Sequence, residues 1–117
     1  MQEYLGACHC GTVTFSFEAD INELVRCACS LCTKRNAVMA TVERRRLRVL
    51  SGEEALSLYQ WNTGMAKHYF CSHCGIYTFH QRRTDERYFS VNAFCVDGID
   101  ATKIPVRQVD GKSRSTV

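Results

Sequence analysis

The sequence is short of proline, of glycine and of long apolar runs. One proline (Pro105) and seven glycines in 117 residues leave no linker, no collagen-like repeat and no low-complexity segment. No apolar stretch approaches the ~18 residues that a membrane-spanning helix needs, so no membrane partner is expected. Charge of one sign is scarce too. The net charge is +3, with one dense basic run at Arg44, Arg45, Arg46 and Arg48 and a smaller one at Arg82 and Arg83. On a strand, Arg44, Arg46 and Arg48 share one face, which reads first as a solvated face and second as an anion patch. Aromatic residues do not interleave with that run, which disfavours a nucleic-acid partner. Residues 1–8 carry neither a basic start nor an apolar core, so no secretory signal is read there and the expected setting is the cytoplasm.

What the sequence has in excess is cysteine, with eight residues. In a short chain this means a disulfide scaffold or metal ligation, and a reducing compartment leaves thiols free for metal. The rest of the chain reads as mainly β. Val13, Phe15 and Phe17 alternate with polar neighbours, the pattern of a half-buried strand. Further short strands are expected at 38–43, 47–50, 56–61, 67–70, 76–80 and 88–94, where β-branched and aromatic residues gather. Only 21–25 and 53–56 suit a helical turn. Residues 1–110 read as one zinc-binding domain of catalytic type, and 111–117 as a polar, disordered tail.

The cysteines fall into three groups and one remainder. Cys8-His9-Cys10-Gly11 and Cys71-Ser72-His73-Cys74-Gly75 are tight chelating turns closed by glycine. Such turns aim backbone N–H groups at sulfur and often need positive φ after the second cysteine, which glycine adopts freely. Together Cys8, Cys10, Cys71 and Cys74 make the closed four-thiolate shell of a structural zinc. Cys27-Ala28-Cys29-Ser30-Leu31-Cys32 is different, with three thiols and no remaining knuckle to complete a shell. Three protein ligands leave a position for water or substrate, the arrangement of a catalytic zinc. The chain is therefore expected to hold two Zn²⁺. Two alternatives stay open here: a second structural zinc completed by Cys95 or a histidine, and an iron–sulfur cluster on Cys27, Cys29, Cys32 and Cys95.

His9 and His73 read as spacers inside the knuckles, and His80 as a strand surface residue. His68 is placed to face the open site as an acid–base or hydrogen-bonding group, with an ordinary strand histidine as the alternative. Cys95 reads as a small buried apolar residue.

Three ordered stretches, Gly6-Ala7-Cys8-His9-Cys10-Gly11-Thr12-Val13-Thr14-Phe15, Cys27-Ala28-Cys29-Ser30-Leu31-Cys32-Thr33-Lys34 and Phe70-Cys71-Ser72-His73-Cys74-Gly75, resemble the glutathione-dependent formaldehyde-activating enzyme family, which includes centromere protein V. Tyr59-Gln60-Trp61-Asn62-Thr63 through Ala66-Lys67-His68 looks more like the centromere protein V side. The resemblance implies a small zinc-clasped β-tent fold of short antiparallel strands. It implies that Cys8, Cys10, Cys71 and Cys74 hold structural zinc, and that Cys27, Cys29 and Cys32 hold catalytic zinc. The activity implied is carbon–sulfur lyase chemistry on S-hydroxymethylglutathione, in either direction. A small thiol is then the expected partner, glutathione first among them, with Arg26, Lys34, Arg35 and the Arg44–Arg48 face as candidate clamps for its carboxylates. A non-catalytic zinc module that binds a protein partner is the alternative function.

Overall fold

Phe15, Phe17 and Ala19 are buried while Thr14, Ser16 and Glu18 between them are not, and this alternation makes β2 (Thr14–Ala19). In the computed structural model, which describes residues 1–61, 64–83 and 85–109, β2 is the middle of a three-stranded antiparallel sheet. It pairs with β1 (Gln2–Ala7) on one side and β5 (Leu47–Ser51) on the other. The expected tail over 111–117, and Asn62 and Thr63 of the stretch resembling centromere protein V, lie outside the described residues.

The second sheet has seven strands, in the order β10-β3-β4-β9-β8-β7-β6. These are β3 (Leu24–Cys27), β4 (Met39–Glu43), β6 (Leu56–Tyr59), β7 (Lys67–Cys71), β8 (Tyr77–Gln81), β9 (Tyr88–Asn92) and β10 (Val106–Val109). Every pairing is antiparallel except that of β10 with β3. Phe15 and Phe17 cross from the small sheet to meet Val42, Phe79 and Val91 of the large one. The Phe15 and Phe79 rings meet edge to face, with centroids 5.4 Å apart. Full burial of a phenylalanine contributes roughly 1.5–3 kcal/mol, so this contact is a principal tie between the sheets. The fold is mainly β, as the alternation indicates.

Two expectations change. Residues 21–25 do not form a helical turn, because Leu24 and Val25 enter β3, while Glu53–Ala55 does form one turn of 3-10 helix. The single α-helix among the described residues, α1 (Ser30–Arg35), begins inside the three-cysteine group. Cys29 caps it, its Sγ accepting from the Cys32 N–H at 3.3 Å, and Asn36 ends it at φ 52°. The arginine run also differs. Arg44–Arg46 makes a 3-10 turn between β4 and β5, so Arg44, Arg46 and Arg48 do not share a strand face. Glu43 Oε2 accepts from Arg45 at 2.7 Å and from Arg46 at 3.2 Å, which bends the run back on its own carboxylate.

Gly52 ties this scaffold to the first knuckle. It sits at φ 76°, and a Cβ there would run into the Thr12 carbonyl, whereas Gly98 at φ 79° has open space around it. Gly98→Ala should cost about 1–2 kcal/mol for left-handed backbone alone. Gly52→Ala should cost clearly more. Urea midpoints of the two variants check the order, and equal losses would show that the approach of Gly52 to Thr12 contributes nothing.

Candidate functional site

The two knuckles converge as their spacing indicates. Cys8 follows β1 and Cys71 ends β7, and the Sγ atoms of Cys8, Cys10, Cys71 and Cys74 all lie within 4.8 Å of one another. Cys10 Sγ is 3.6 Å from Cys8 Sγ and 3.8 Å from Cys71 Sγ. Four sulfurs at ~2.3 Å around a tetrahedral centre stand about 3.8 Å apart, so the cluster has the size of a closed metal shell. The Val13 N–H points at Cys8 Sγ at 3.3 Å, and the His73 N–H at Cys71 Sγ at 3.4 Å. Gly11 (φ 81°) and Gly75 (φ 79°) supply the left-handed residue after each second cysteine. Hydrogen bonds from the Cys10 and Ile76 backbone pull the Cys74 thiol down to about 6, while burial pushes Cys71 up to about 11.

Cys27, at the end of β3, joins Cys29 and Cys32 of the α1 turn, their sulfurs again within 4.8 Å. Among the described residues no fourth cysteine, histidine, aspartate or glutamate joins them. Cys95 is not available: its Sγ lies 3.5 Å from the Tyr77 carbonyl and its side chain packs into the Phe15 core. This removes the Cys95-completed zinc and the four-cysteine iron–sulfur cluster, and bears out Cys95 as a small buried residue. Hydrogen bonds from the Cys27 and Cys32 thiols draw Cys29 down to about 2, and Cys27 and Cys29 in turn raise Cys32. Both clusters could hold a metal ion.

The three thiols open on a cavity of about 100 Å³. Met39, Trp61 and Val25 give it an apolar wall, and His68, Arg82 and Arg83 a polar one. His68 on β7 is the cross-strand partner of His80 on β8, with ring centroids 4.6 Å apart. His80 is not a surface residue. β8 is a central strand, covered on one face by the Phe15 core and on the other by the cysteine side, so four of its five residues are buried. The Tyr77 hydroxyl lies 2.6 Å from His80 Nδ1 and 3.2 Å from the Ser90 carbonyl. Burial, then the Arg35 charge, lowers the His68 pKa to about 4, against a smaller pull from Cys29. Burial also holds His80 well below the ordinary range, helped by His68, Arg35 and Arg82.

The candidate clamps fare unevenly. Arg26 bonds Asn36, Lys34 is exposed, and Arg45, Arg46 and Arg48 line a separate groove with Glu3 and Glu18. Arg82 and Arg83, noticed in the sequence only as a short basic pair, are the ones that reach the cavity. His9 and His73 are exposed and belong to neither sulfur cluster.

Residues 3–109 match the family model described as glutathione-dependent formaldehyde-activating enzyme. The chain belongs to this family. A crystal structure of a Rhodobacter sphaeroides protein is similar at 41% identity with a TM-score of 0.82, over 88% of this chain and 99% of that one. The family is one of formaldehyde-activating enzymes, and among the described residues no helix is long and apolar enough to cross a membrane.

The two buried imidazoles give a pH signature. Both are neutral when folded, and the unfolded chain takes up protons below the ordinary value of 6.5. Between about 6.5 and 4 the unfolded state therefore binds more protons at the His68 position, and His80 acts in the same direction below 6.5, so stability falls as pH drops, by up to ~1.4 kcal/mol per pH unit for each histidine. His80→Gln should flatten that slope relative to wild type in urea titrations at matched metal content. An unchanged slope would mean that His80 is not held neutral.

Proposed function

We propose that the protein is a zinc-dependent carbon–sulfur lyase acting on a thiol–aldehyde adduct, with S-hydroxymethylglutathione the leading candidate. The observation that carries this reading is the three-thiol cluster, which lacks a fourth protein ligand among the described residues and faces a cavity. All-sulfur donor sets of this size suit zinc. In this reading Cys8, Cys10, Cys71 and Cys74 hold a structural ion that clasps one domain over 1–110. Cys27, Cys29 and Cys32 hold the catalytic ion. Zinc bound there would supply Lewis acidity, lowering the pKa of a thiol so that a nucleophilic sulfur is available near neutral pH.

The chain's own residues do the remaining work. Arg82 and Arg83 offer guanidinium donors to the carboxylates of glutathione, and Arg pairs with carboxylate in two-point fashion. Trp61, Met39 and Val25 wall off water from the sulfur end, which strengthens every charge interaction inside. His68 faces the reacting carbon's oxygen. Reduced thiols on both clusters suit a cytoplasmic setting.

Elemental analysis should find two zinc ions per chain in protein purified without added metal. Cys74→Ala should lose one ion together with the fold, because metal binding at a clasp is folding free energy. Cys29→Ala should lose the other ion and stay folded. Equal thermal collapse of the two variants would overturn the division into structural and catalytic sites.

Catalysis is read by exchange broadening in NMR spectra of glutathione, formaldehyde and their adduct at equilibrium. Wild-type protein should accelerate exchange over the spontaneous rate, and Cys29→Ala should not. Arg82→Ala should weaken glutathione roughly tenfold, the loss of one charge-assisted bond, and leave mercaptoethanol unaffected. Zinc-loaded protein that accelerates no thiol exchange would favour a non-catalytic binding module instead.

A further inference from the structure

Arg35, at the C-terminal end of α1, turns away from solvent and places Nη1 3.2 Å from His68 Nδ1. Its guanidinium carbon stands 3.8 Å from the centre of the Tyr77 ring. That ring is itself fixed, since the Tyr77 hydroxyl is held between His80 Nδ1 and the Ser90 carbonyl. The guanidinium therefore lies over an aromatic face, with one nitrogen within hydrogen-bond distance of an imidazole. Among the described residues no carboxylate forms an ion pair with Arg35.

The chemistry of the contact is one-directional. A guanidinium has only donors and keeps its charge at every pH a protein experiences. The atom facing it, His68 Nδ1, must accept and so carries no proton. The single proton of the ring then sits on Nε2. Two protonated ring nitrogens would set N–H against N–H across the 3.2 Å contact.

The geometry points to Arg35 as the positioning residue that fixes the tautomer of His68, and to His68 as a neutral donor rather than a base. From the wall of the three-cysteine cavity, His68 offers Nε2–H to the oxygen of the aldehyde or of its thiol adduct. This assignment rests on the lyase reading of that cavity. In the addition direction the thiol gives its proton to water, and a sulfur lone pair forms the carbon–sulfur bond. The carbonyl π pair moves to oxygen, and that oxygen takes a proton from water. The imidazole keeps its own proton throughout and stabilises the charge that gathers on oxygen, as a preorganised donor does. Cleavage runs the same events backwards.

A long-range proton–nitrogen correlation spectrum of ¹⁵N-labelled, zinc-loaded protein reads the tautomer directly, without any reaction. Wild type should show His68 unprotonated at Nδ1 and protonated at Nε2 at pH 7. Arg35→Ala should move His68 to a mixture of tautomers, and Arg35→Lys, which keeps a donor, should restore most of the Nε2–H form. His68→Phe should lower kcat for thiol–formaldehyde exchange about a hundredfold, the scale of one lost oxyanion donor. His68→Gln, whose amide can donate, should recover part of that loss while KM stays near wild type. A proton on Nδ1 in wild type, or an unchanged tautomer in a folded Arg35→Ala protein, overturns the proposal. If Arg35→Ala does not fold, a Lys variant with scrambled tautomers does the same. A correct tautomer in a protein without exchange activity overturns the lyase reading and the donor role together, and leaves the Arg35 lock standing.

Discussion

Burial of β8 on both faces is the constraint on which the rest of the structure turns. Phe79 points into the apolar layer with Phe15, while His80 points to the cysteine side and is buried as well. A strand covered on one face could have presented its polar residues to water. Covered on two, it must find a partner for each, because an unpaired buried polar group costs about 1–3 kcal/mol. The contacts of Tyr77, His80, Ser90 and Arg35 are that solution, and among the described residues no buried side-chain nitrogen or oxygen is left without a partner. The polar wall of the cavity is thus an outcome of how the sheet is packed.

The two sulfur clusters show how position changes what one residue type can do. Cys8, Cys10, Cys71 and Cys74 come from turns at the ends of strands that belong to different sheets, so whatever holds them holds the sheets together. Cys27, Cys29 and Cys32 come from one strand end and the helix beside it, already neighbours in sequence. Their proximity adds little to long-range order. It leaves them free to serve as a floor for something else.

The legible parts of the sequence were those whose signal is local. Alternation marks β2, gathered β-branched and aromatic residues mark β4 to β9, and closely spaced thiols with a following glycine mark both knuckles, because each pattern is complete within a few residues. β1 and β10 carry many exposed side chains at sheet edges and so lack a clean alternation. α1 is too short to show helical periodicity and is capped by a thiol, which is absent from the usual set of capping residues. The contact of Arg35 with His68 joins residues 33 positions apart, and the burial of His80 depends on what covers the second face of β8. Cysteine spacing and the family pattern agree on the division of seven thiols into four and three, but neither points to the arginines at the cavity, since Arg82 and Arg83 are placed by the end of β8 rather than by any motif.

The parallel pairing of β10 with β3 has a temporal consequence. Val109 lies in register with Cys27, and the Ala28 N–H bonds the Val109 carbonyl at 3.2 Å. The strand that delivers Cys27 is therefore completed on its outer edge by a segment 82 positions further along the chain. The three thiols are translated early, yet their neighbourhood waits for residues 106–109 to emerge and dock. Contacts between such distant parts of a chain form slowly. The cavity beside the three thiols is therefore a late event in folding, since the strand that carries Cys27 waits for a pairing that spans 82 positions.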